Sequence, residues 1–367
     1  MFFTQQKLAS RIREIEPYRY RGRQALAGLT FQLDPESVVG AYPPNGGEWQ
    51  DCDLGQRWRG KDLYVWLRSQ VTIPSEWDGH RVLLRYDFGG PTGGGNTAGF
   101  ESLLFINGHP YQGVDANHKE VFLAEDWVGE SIQLHLRLWS GLPGGGKTRE
   151  MEIQLVQAEL CWLDEATDDF FYTALATLET IRVLEENSPE AQELLKAVNY
   201  AFREVDWNRP GSEEFYASVE QARSVLRDNL DQIQKHHPVT VTCIGHTHID
   251  VAWLWQIKHT QEKSARSFST VLRLMEMFPE YIFIQSQPQL YQYIKEDYPE
   301  IYEQIKPRIA EGRWEADGAM WVEADCNLSS GESLVRQILL GNQFFQREFG
   351  ITSKYLWLPD VFGYSWA

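Results

Sequence analysis

Residues 245–255 read Gly-His-Thr-His-Ile-Asp-Val-Ala-Trp-Leu-Trp, directly after the β-branched run of residues 239–244. The run predicts a buried strand. Alternate side chains of an extended chain share one face, so His246, His248 and Asp250 are expected to point the same way. Imidazole nitrogen and carboxylate oxygen are both zinc donors, so the stretch predicts a metal site. The alternative is a polar strand end with hydrogen-bonded histidines.

Strands and helices alternate through the rest of the chain. Strands are predicted at 239–244, 281–284, 314–316 and 355–358, and helices at 261–278, 289–311 and 332–349. This order predicts a parallel sheet or barrel, in which reacting groups gather where strands end and loops begin. Asp360 follows the fourth predicted strand at such a position. The position favours a catalytic carboxylate over an ordinary turn or helix-cap residue.

Carboxylates and indoles are dense in residues 311–327, which also follow a predicted strand. Such a loop suits the recognition of sugar hydroxyls and of an apolar sugar face. A solvated acidic loop with two core tryptophans fits the same residues, and the sequence leaves both interpretations open.

The first part of the chain has a different character. Residues 25–160 contain short alternating stretches and the hairpin signal Asn107-Gly108, which together predict a β-sandwich with no metal site. Residues 161–237 follow helical spacing and predict a linker of about three helices. Residues 1–24 predict a short amphipathic helix or arm rather than a signal peptide. The barrel domain is expected over residues 238–367.

Composition limits the classes of partner. The 367 residues include 52 acidic and 34 basic side chains, a net charge of -18. This balance argues against nucleic acid or an anionic membrane as the main partner. No apolar run approaches the ~20 residues of a membrane span. The four cysteines form no CxxC pair, which favours a reducing compartment and predicts a cytoplasmic protein.

Three motifs resemble glycoside hydrolase family 38, the α-mannosidases, in its bacterial and cytosolic-type branch. They are GHTHIDVAWLW at 245–255, GRWEADGAMWVEADCNLSSGESLVRQ at 312–337 and LPDVFGYS at 358–365. The resemblance is strong after residue 239 and weaker over the sandwich and linker. It implies the first part of a seven-stranded α/β barrel. It also implies zinc-dependent hydrolysis of terminal α-mannosides, with retention, through a covalent mannosyl-aspartate intermediate.

The resemblance also implies roles for individual residues. His248, Asp250 and Asp360 are the implied ligands of one Zn²⁺ ion, and Asp360 is also the implied nucleophile. Trp253 is expected to stack on mannose, and Phe362 occupies the family's aromatic position beside the nucleophile. His246 matches a motif position but is not carried over as a ligand.

Two further groups of the family are expected downstream of Ala367: a fourth zinc ligand, which is a histidine, and the general acid/base carboxylate. No histidine follows His259 in this sequence. We therefore expect the 367-residue chain alone to have little or no activity, and to be poorly soluble or a homo-oligomer. Two alternatives stay open: another metal hydrolase of the amidohydrolase kind, which would need further histidines, and a non-catalytic carbohydrate-binding or assembly fragment.

Overall fold

A computed structural model describes residues 3–89, 98–142, 151–185, 188–234 and 239–360. The chain divides into two compact units. Unit one comprises Met1–Gln24, Trp77–Leu83 and Leu160–Val241. Unit two comprises Ala25–Glu76, Leu84–Glu159 and Thr242–Ala367. The candidate site residues named above, apart from Phe362, are all described and lie in unit two.

Unit one is mainly helical. Its helices are α1 (Thr4–Ile15), α2 (Glu165–Val183), α3 (Pro189–Glu204) and α4 (Glu213–Gln232). Asp164, Ser188 and Ser212 cap the last three by accepting backbone N–H bonds in the first turn, which orients each helix start. The helices share an apolar core. The N-terminal helix and the three helices predicted after residue 161 are thus present.

Twelve strands precede α2 in the described residues. They are β1 (Tyr20–Ala25), β2 (Thr30–Leu33), β3 (Gln50–Asp51), β4 (Arg57–Arg59), β5 (Tyr64–Thr72), β6 (Val82–Asp87), β7 (Ala98–Ile106), β8 (His109–Asp115), β9 (Glu120–Phe122), β10 (Ser131–Leu142), β11 (Glu152–Gln154) and β12 (Gln157–Leu163). Within unit two, six of them form a sheet in the order β3-β2-β5-β10-β7-β8. Asn107 and Gly108 have φ values of 52° and 86° and join β7 to β8, which confirms the hairpin signal.

The second half of unit two contains a parallel sheet. Its strands β13 (Gly245–His246), β14 (Phe283–Ile284) and β15 (Trp314–Glu315) lie in that order. Its helices are α5 (Ile257–Met277), α6 (Pro288–Asp297), α7 (Pro299–Ala310) and α8 (Gly331–Phe349). Helices connect parallel neighbours, as the alternating sequence pattern predicts. The seven-stranded barrel itself stays a prediction.

Three predicted elements differ from the structure. The strand predicted at 239–244 is wrong, because those residues have exposed side chains and are not part of a strand; regular pairing begins at Gly245. The strand predicted at 355–358 is reduced to one parallel bridge between Leu356 and Gly318. The helix predicted at 289–311 is interrupted before Pro299, whose ring disfavours a helical conformation at the preceding residue.

The six-stranded sheet and the helices of the second half share one core within unit two. Trp66, Leu103 and Phe105 of the sheet join the apolar cluster formed by α5, α6 and α7. A buried ion pair accompanies this packing, since Arg137 contacts Glu262 of α5 at 2.7 Å. The sheet therefore fixes α5, the helix that follows the predicted metal motif. In the part of the chain that the structure describes, no helix has the length and apolarity needed to cross a bilayer.

Candidate active site

The side chains of His248, Asp250 and Asp360 meet beyond the ends of the parallel strands. Each offers one donor atom, and the three donor atoms lie within 4.8 Å of one another. His248 Nε2 lies 3.1 Å from an Asp250 carboxylate oxygen and 3.6 Å from an Asp360 carboxylate oxygen. The structure thus brings together two sequence motifs that are 110 residues apart.

This donor set fits a zinc ion. Donors bound to one tetrahedral zinc at about 2.1 Å are about 3.4 Å from each other, and the two separations from His248 bracket that value. Imidazole nitrogen and carboxylate oxygen are both zinc donors, and three protein ligands leave a fourth position for a substrate oxygen. The three residues could hold the ion after small adjustments of the carboxylates.

A carboxylate lies on the other side of the His248 ring. Glu323 Oε2 is 3.1 Å from His248 Nδ1, at ion-pair distance, and neither atom bonds to any other described group. The Glu323 side chain is only 8% exposed. Glu323, and after it Asp250, raise the pKa of His248 to about 9 in the metal-free protein. A carboxylate behind a histidine orients the ring and holds a proton on the near nitrogen, which leaves the far nitrogen free to bind a metal.

A buried polar segment follows β14 and supports both sides of the cluster. Gln285 and Gln287 donate side-chain hydrogen bonds to the backbone carbonyls of Thr247 and Ile249, at 3.0 and 2.8 Å. Gln287 also accepts the backbone N–H of Glu323, at 3.3 Å. Alternate residues of this extended segment point the same way, so the two glutamines together hold the backbone on either side of His248.

The loop after Asp250 is organised by Thr260 of α5. The Thr260 hydroxyl donates to the Asp250 carbonyl at 2.8 Å and accepts the Ala252 N–H and the Trp255 indole N–H, both at 3.0 Å. Ala252 has φ of 64°, so the chain turns sharply there. Trp253 follows this turn with 60% of its surface exposed and packs edge-on against Trp255. The predicted stacking residue thus has a free indole face.

A close backbone approach positions Asp360. Leu356 pairs with Gly318, which follows β15 and has φ of 127°. A Cβ atom at Gly318 would lie 2.5 Å from Ser286 Cβ and 3.2 Å from Trp357 Cβ. Only glycine fits this approach without displacement. The segment that leads to Asp360 therefore lies against the loop after β14.

His246 does not join the cluster. Its Nδ1 lies 2.9 Å from the Ile284 carbonyl, to which it donates, and its Nε2 accepts from the Trp357 indole at 3.4 Å. The expectation that all three motif residues share one face is therefore wrong, because the strand ends at His246. Phe362 lies outside the described residues. Sequence reasoning included Glu323 only as one carboxylate of the loop at 311–327, and it missed residues 285–287, although polar residues after a buried apolar strand were a usable signal.

Two protein-family models match the chain. The N-terminal domain of the glycosyl hydrolases family 38 matches residues 238–367, which include every motif of the candidate site. The α-mannosidase jelly roll domain matches residues 33–138, which lie in the sheet-rich part of the chain. The two matches follow each other in the order in which the sequence predicted a sheet domain and an α/β domain.

Curated relatives are named α-mannosidases. Human α-mannosidase 2C1 is 33% identical over 82% of this chain, and α-mannosidase G of Dictyostelium discoideum is 28% identical over 87%. The α-mannosidase of Saccharomyces cerevisiae is 42% identical over 41% of this chain. The chain spans 29% of the length of each of the first two relatives.

Proposed function

The chain carries the N-terminal domain of glycosyl hydrolase family 38, and on that premise we propose that it supplies the zinc ligands and the nucleophile of a retaining α-mannosidase. The substrate class is terminal α-mannosides of oligosaccharides. The convergence of His248, Asp250 and Asp360 carries the proposal, because donors from two segments 110 residues apart are close enough to share one ion.

Each side chain has a proposed task. His248 presents Nε2 to the metal because Glu323 lies beside its other ring nitrogen, Nδ1. Asp250 is a ligand whose backbone carbonyl is held by Thr260. A bound zinc ion would supply a Lewis acid that orients vicinal mannose hydroxyls and keeps the neighbouring carboxylates ionised. The protein's part is to fix these donors on the loops that follow the parallel strands.

Asp360 is the proposed nucleophile. Its carboxylate oxygen attacks the anomeric carbon, the glycosidic bond breaks, and the mannosyl group is held as an ester on Asp360. The departing alcohol takes a proton from an acid, and water then hydrolyses the ester, so two inversions give net retention. The resemblance implies a separate general acid/base carboxylate for this proton transfer.

Trp253 is the proposed platform for the sugar. Trp253 lies three residues after the proposed ligand Asp250, its indole is exposed, and its ring packs edge-to-face with that of Trp255. An indole covers the apolar face of a pyranose ring and excludes water from it. Phe362 is proposed as a second aromatic contact on the resemblance of the LPDVFGYS motif.

We also propose the domain boundaries 1–24, 25–160, 161–237 and 238–367, and a cytoplasmic location. The location rests on Cys52, Cys161, Cys243 and Cys326, all of which are free thiols. Free cysteines are the usual state in a reducing compartment.

Zinc binding is the direct test, since it does not require turnover. The metal-free chain is titrated with zinc, and the bound ion is counted by elemental analysis for the wild type, Asp250→Asn and Asp360→Asn. We expect one ion in the wild type and a large loss of affinity in both variants. Asp325→Asn, a change in an exposed acidic residue of a nearby loop, is the matched control. Equal zinc affinity in all four proteins would refute the site.

The nucleophile is tested separately. A fluorinated mannosyl fluoride, which forms a slowly hydrolysed ester, is added to the zinc-loaded chain, and the labelled peptide is identified by mass spectrometry. A label on Asp360, absent in Asp360→Asn, supports the assignment. A label on another carboxylate contradicts it while leaving the zinc site intact.

A further inference from the structure

A second cleft lies on the six-stranded sheet, apart from the candidate metal site. Its volume is about 770 Å³, within the ~300–1,000 Å³ range of small-molecule sites. Strands β2, β5 and β10 contribute to its lining, together with residues 42–45 and the Asn107-Gly108 turn. The cleft is therefore built mainly on paired strands, which hold their side chains in fixed positions.

Strand register places its polar residues in rows. Arg68 of β5 pairs with Thr30 of β2 on one side and with His135 of β10 on the other. Two residues further along, Gln70 pairs with Gln133. Residues two apart on a strand share a face, so all five belong to one surface of the sheet. The surface is rich in hydrogen-bonding groups.

Polar atoms at this cleft lack partners. His135 is 8% exposed, and its Nδ1 is buried without a hydrogen bond. The Thr30 hydroxyl, also at the cleft, and the indole N–H of the neighbouring Trp49, whose ring centroid lies 6.2 Å from that of His135, have no hydrogen-bond partner among the described residues. Buried polar atoms in proteins are nearly always bonded to protein groups or ordered water, so the floor of the cleft retains unused hydrogen-bonding capacity.

The charge of the cleft differs from that of the chain. None of its lining residues is acidic, although the chain has 52 acidic side chains. Arg68 lines the cleft, its guanidinium lies 4.1 Å from the ring centroid of Trp49, and no described carboxylate pairs with it. Burial, and then the charge of Arg68, lower the pKa of His135, so its ring is neutral at neutral pH and offers one donor and one acceptor. A ligand that carries an anionic group beside hydroxyl groups would match the Arg68 guanidinium and the neutral His135 ring.

We propose that this cleft binds a small saccharide that carries one anionic group, a phosphate or a carboxylate. Arg68 pairs with the anion in a geometry fixed by its contact with Trp49. His135, Gln70 and Gln133 bond the sugar hydroxyls, each of which is both a donor and an acceptor. The proposal does not depend on the mannosidase assignment, because none of these residues belongs to the metal cluster.

Isothermal titration of the full chain tests the proposal with four probes: mannose 6-phosphate, glucuronate, mannose and inorganic phosphate. We expect the two charged sugars to bind, and mannose and phosphate to bind at least about tenfold more weakly, since a charge-assisted hydrogen bond contributes about 1.5–3 kcal/mol. Arg68→Gln is expected to weaken the charged sugars by about tenfold or more. Arg57→Gln, an exposed arginine of the same region outside the cleft, is the matched control.

Two further variants locate the binding site within the chain. Gln133→Ala changes an exposed side chain of the cleft and is expected to weaken the charged sugars even if Arg68→Gln fails to fold. Asp250→Asn removes a proposed zinc ligand and is expected to leave this binding unchanged. The proposal is overturned if phosphate binds as tightly as mannose 6-phosphate, if Asp250→Asn abolishes binding, or if no probe binds saturably at millimolar concentration.

Discussion

Glu323 Oε2 lies 3.1 Å from His248 Nδ1, on the side of the imidazole ring opposite to Asp250 and Asp360. The ring is therefore surrounded by three carboxylates, one behind it and two in front. The negative charge of these carboxylates, that of Glu323 first, favours a proton on His248 and raises its pKa to about 9. A divalent cation in front of the ring would balance the same charge and release that proton.

Removal of the negative charge of Glu323, beside His248 Nδ1, is expected to weaken zinc binding. Glu323→Gln keeps the shape of the side chain but no longer favours a proton on Nδ1. Partners of this kind typically change metal affinity by about 10–100-fold, and we expect a loss of that size in a competition titration with a chelator. Glu303→Gln, an exposed glutamate on α7, is the control. Unchanged affinity in Glu323→Gln would mean that Glu323 does not orient His248.

The sequence was sufficient to predict which motifs meet, but not which residue contacts the Nδ1 atom of His248. His248 and Asp250 were recognised as zinc donors by their residue types and spacing, and Asp360 joined them through the resemblance of its motif, although neither strand predicted before them, at 239–244 and 355–358, formed as expected. The contact between Glu323 and His248 was not predictable, because 75 residues separate the two and the acidic loop at 311–327 offers several carboxylates. Only the tertiary arrangement selects one of them.

Strand prediction failed for a related reason. Residues 239–244 have a strong β-branched pattern, yet the regular pairing starts at Gly245. A strand is stabilised by packing against its neighbours on the sheet, so the local preference of a β-branched run is not sufficient to predict where regular pairing starts. The Asn107-Gly108 hairpin was predictable because its turn conformation is set by these two residues themselves.

Gly318 is expected to control both stability and zinc affinity. Gly318→Ala introduces a Cβ atom 2.5 Å from Ser286 Cβ and 3.2 Å from Trp357 Cβ, at φ of 127°. The contact between Gly318 and Leu356 must therefore shift, and with it the segment that leads from Leu356 to Asp360. Gly312→Ala is a matched control, because Gly312 also has positive φ but no atom lies within 4 Å of its added Cβ. Each substitution is expected to cost about 1–3 kcal/mol through its backbone conformation.

Zinc affinity distinguishes these two variants. Only Gly318→Ala should lose it, since only that change moves the segment that carries Asp360. Denaturant unfolding and a zinc titration are measured on both proteins. Equal zinc affinity in the two variants would show that the approach of Leu356 to Gly318 does not position Asp360.

Asp62 is expected to anchor α5 through its charge. It accepts hydrogen bonds from the Lys258 ammonium and from the His259 Nε2–H, both at 2.7 Å, and from the Trp139 indole at 2.8 Å. Burial alone would raise the pKa of Asp62, but these bonds outweigh burial and lower it. The stabilising effect of the ionised form is therefore present above pH ~3.9, the ordinary aspartate pKa, and is lost as the pH falls through the lower folded-state value.

The test is Asp62→Asn, which tolerates the positive φ of this position but loses the charge. We expect a loss of about 1–2 kcal/mol in the free energy of unfolding at pH 7, because hydrogen bonds to charged groups contribute about this much. The loss should shrink as the pH is lowered. Asp53→Asn, an exposed residue of the same region, is the control. A loss that does not change with pH would mean that shape, not charge, holds α5 at this point.

Asp297, at the end of α6, should respond to pH in the opposite direction. Burial, followed by the nearby charges of Glu262 and Glu296, raises its pKa to about 6, although the Gln261 amide donates a hydrogen bond to it at 3.0 Å. Because the folded-state pKa is raised, the contribution of Asp297 to stability is fully present below pH ~3.9 and is lost as the pH rises through about 6.

The test is Asp297→Asn, which removes the ionisation and retains an oxygen for Gln261. The full shift corresponds to about 3 kcal/mol; because the carboxyl is partly exposed and screened by solvent, we expect a gain of about 1 kcal/mol at pH 7.5 and none near pH 4. Urea unfolding at both pH values measures the difference, with Glu303→Gln, a change in an exposed glutamate of α7, as the control. A variant less stable than the wild type at pH 7.5 would show that the carboxylate of Asp297 stabilises this helix end, and would reverse the assigned sign.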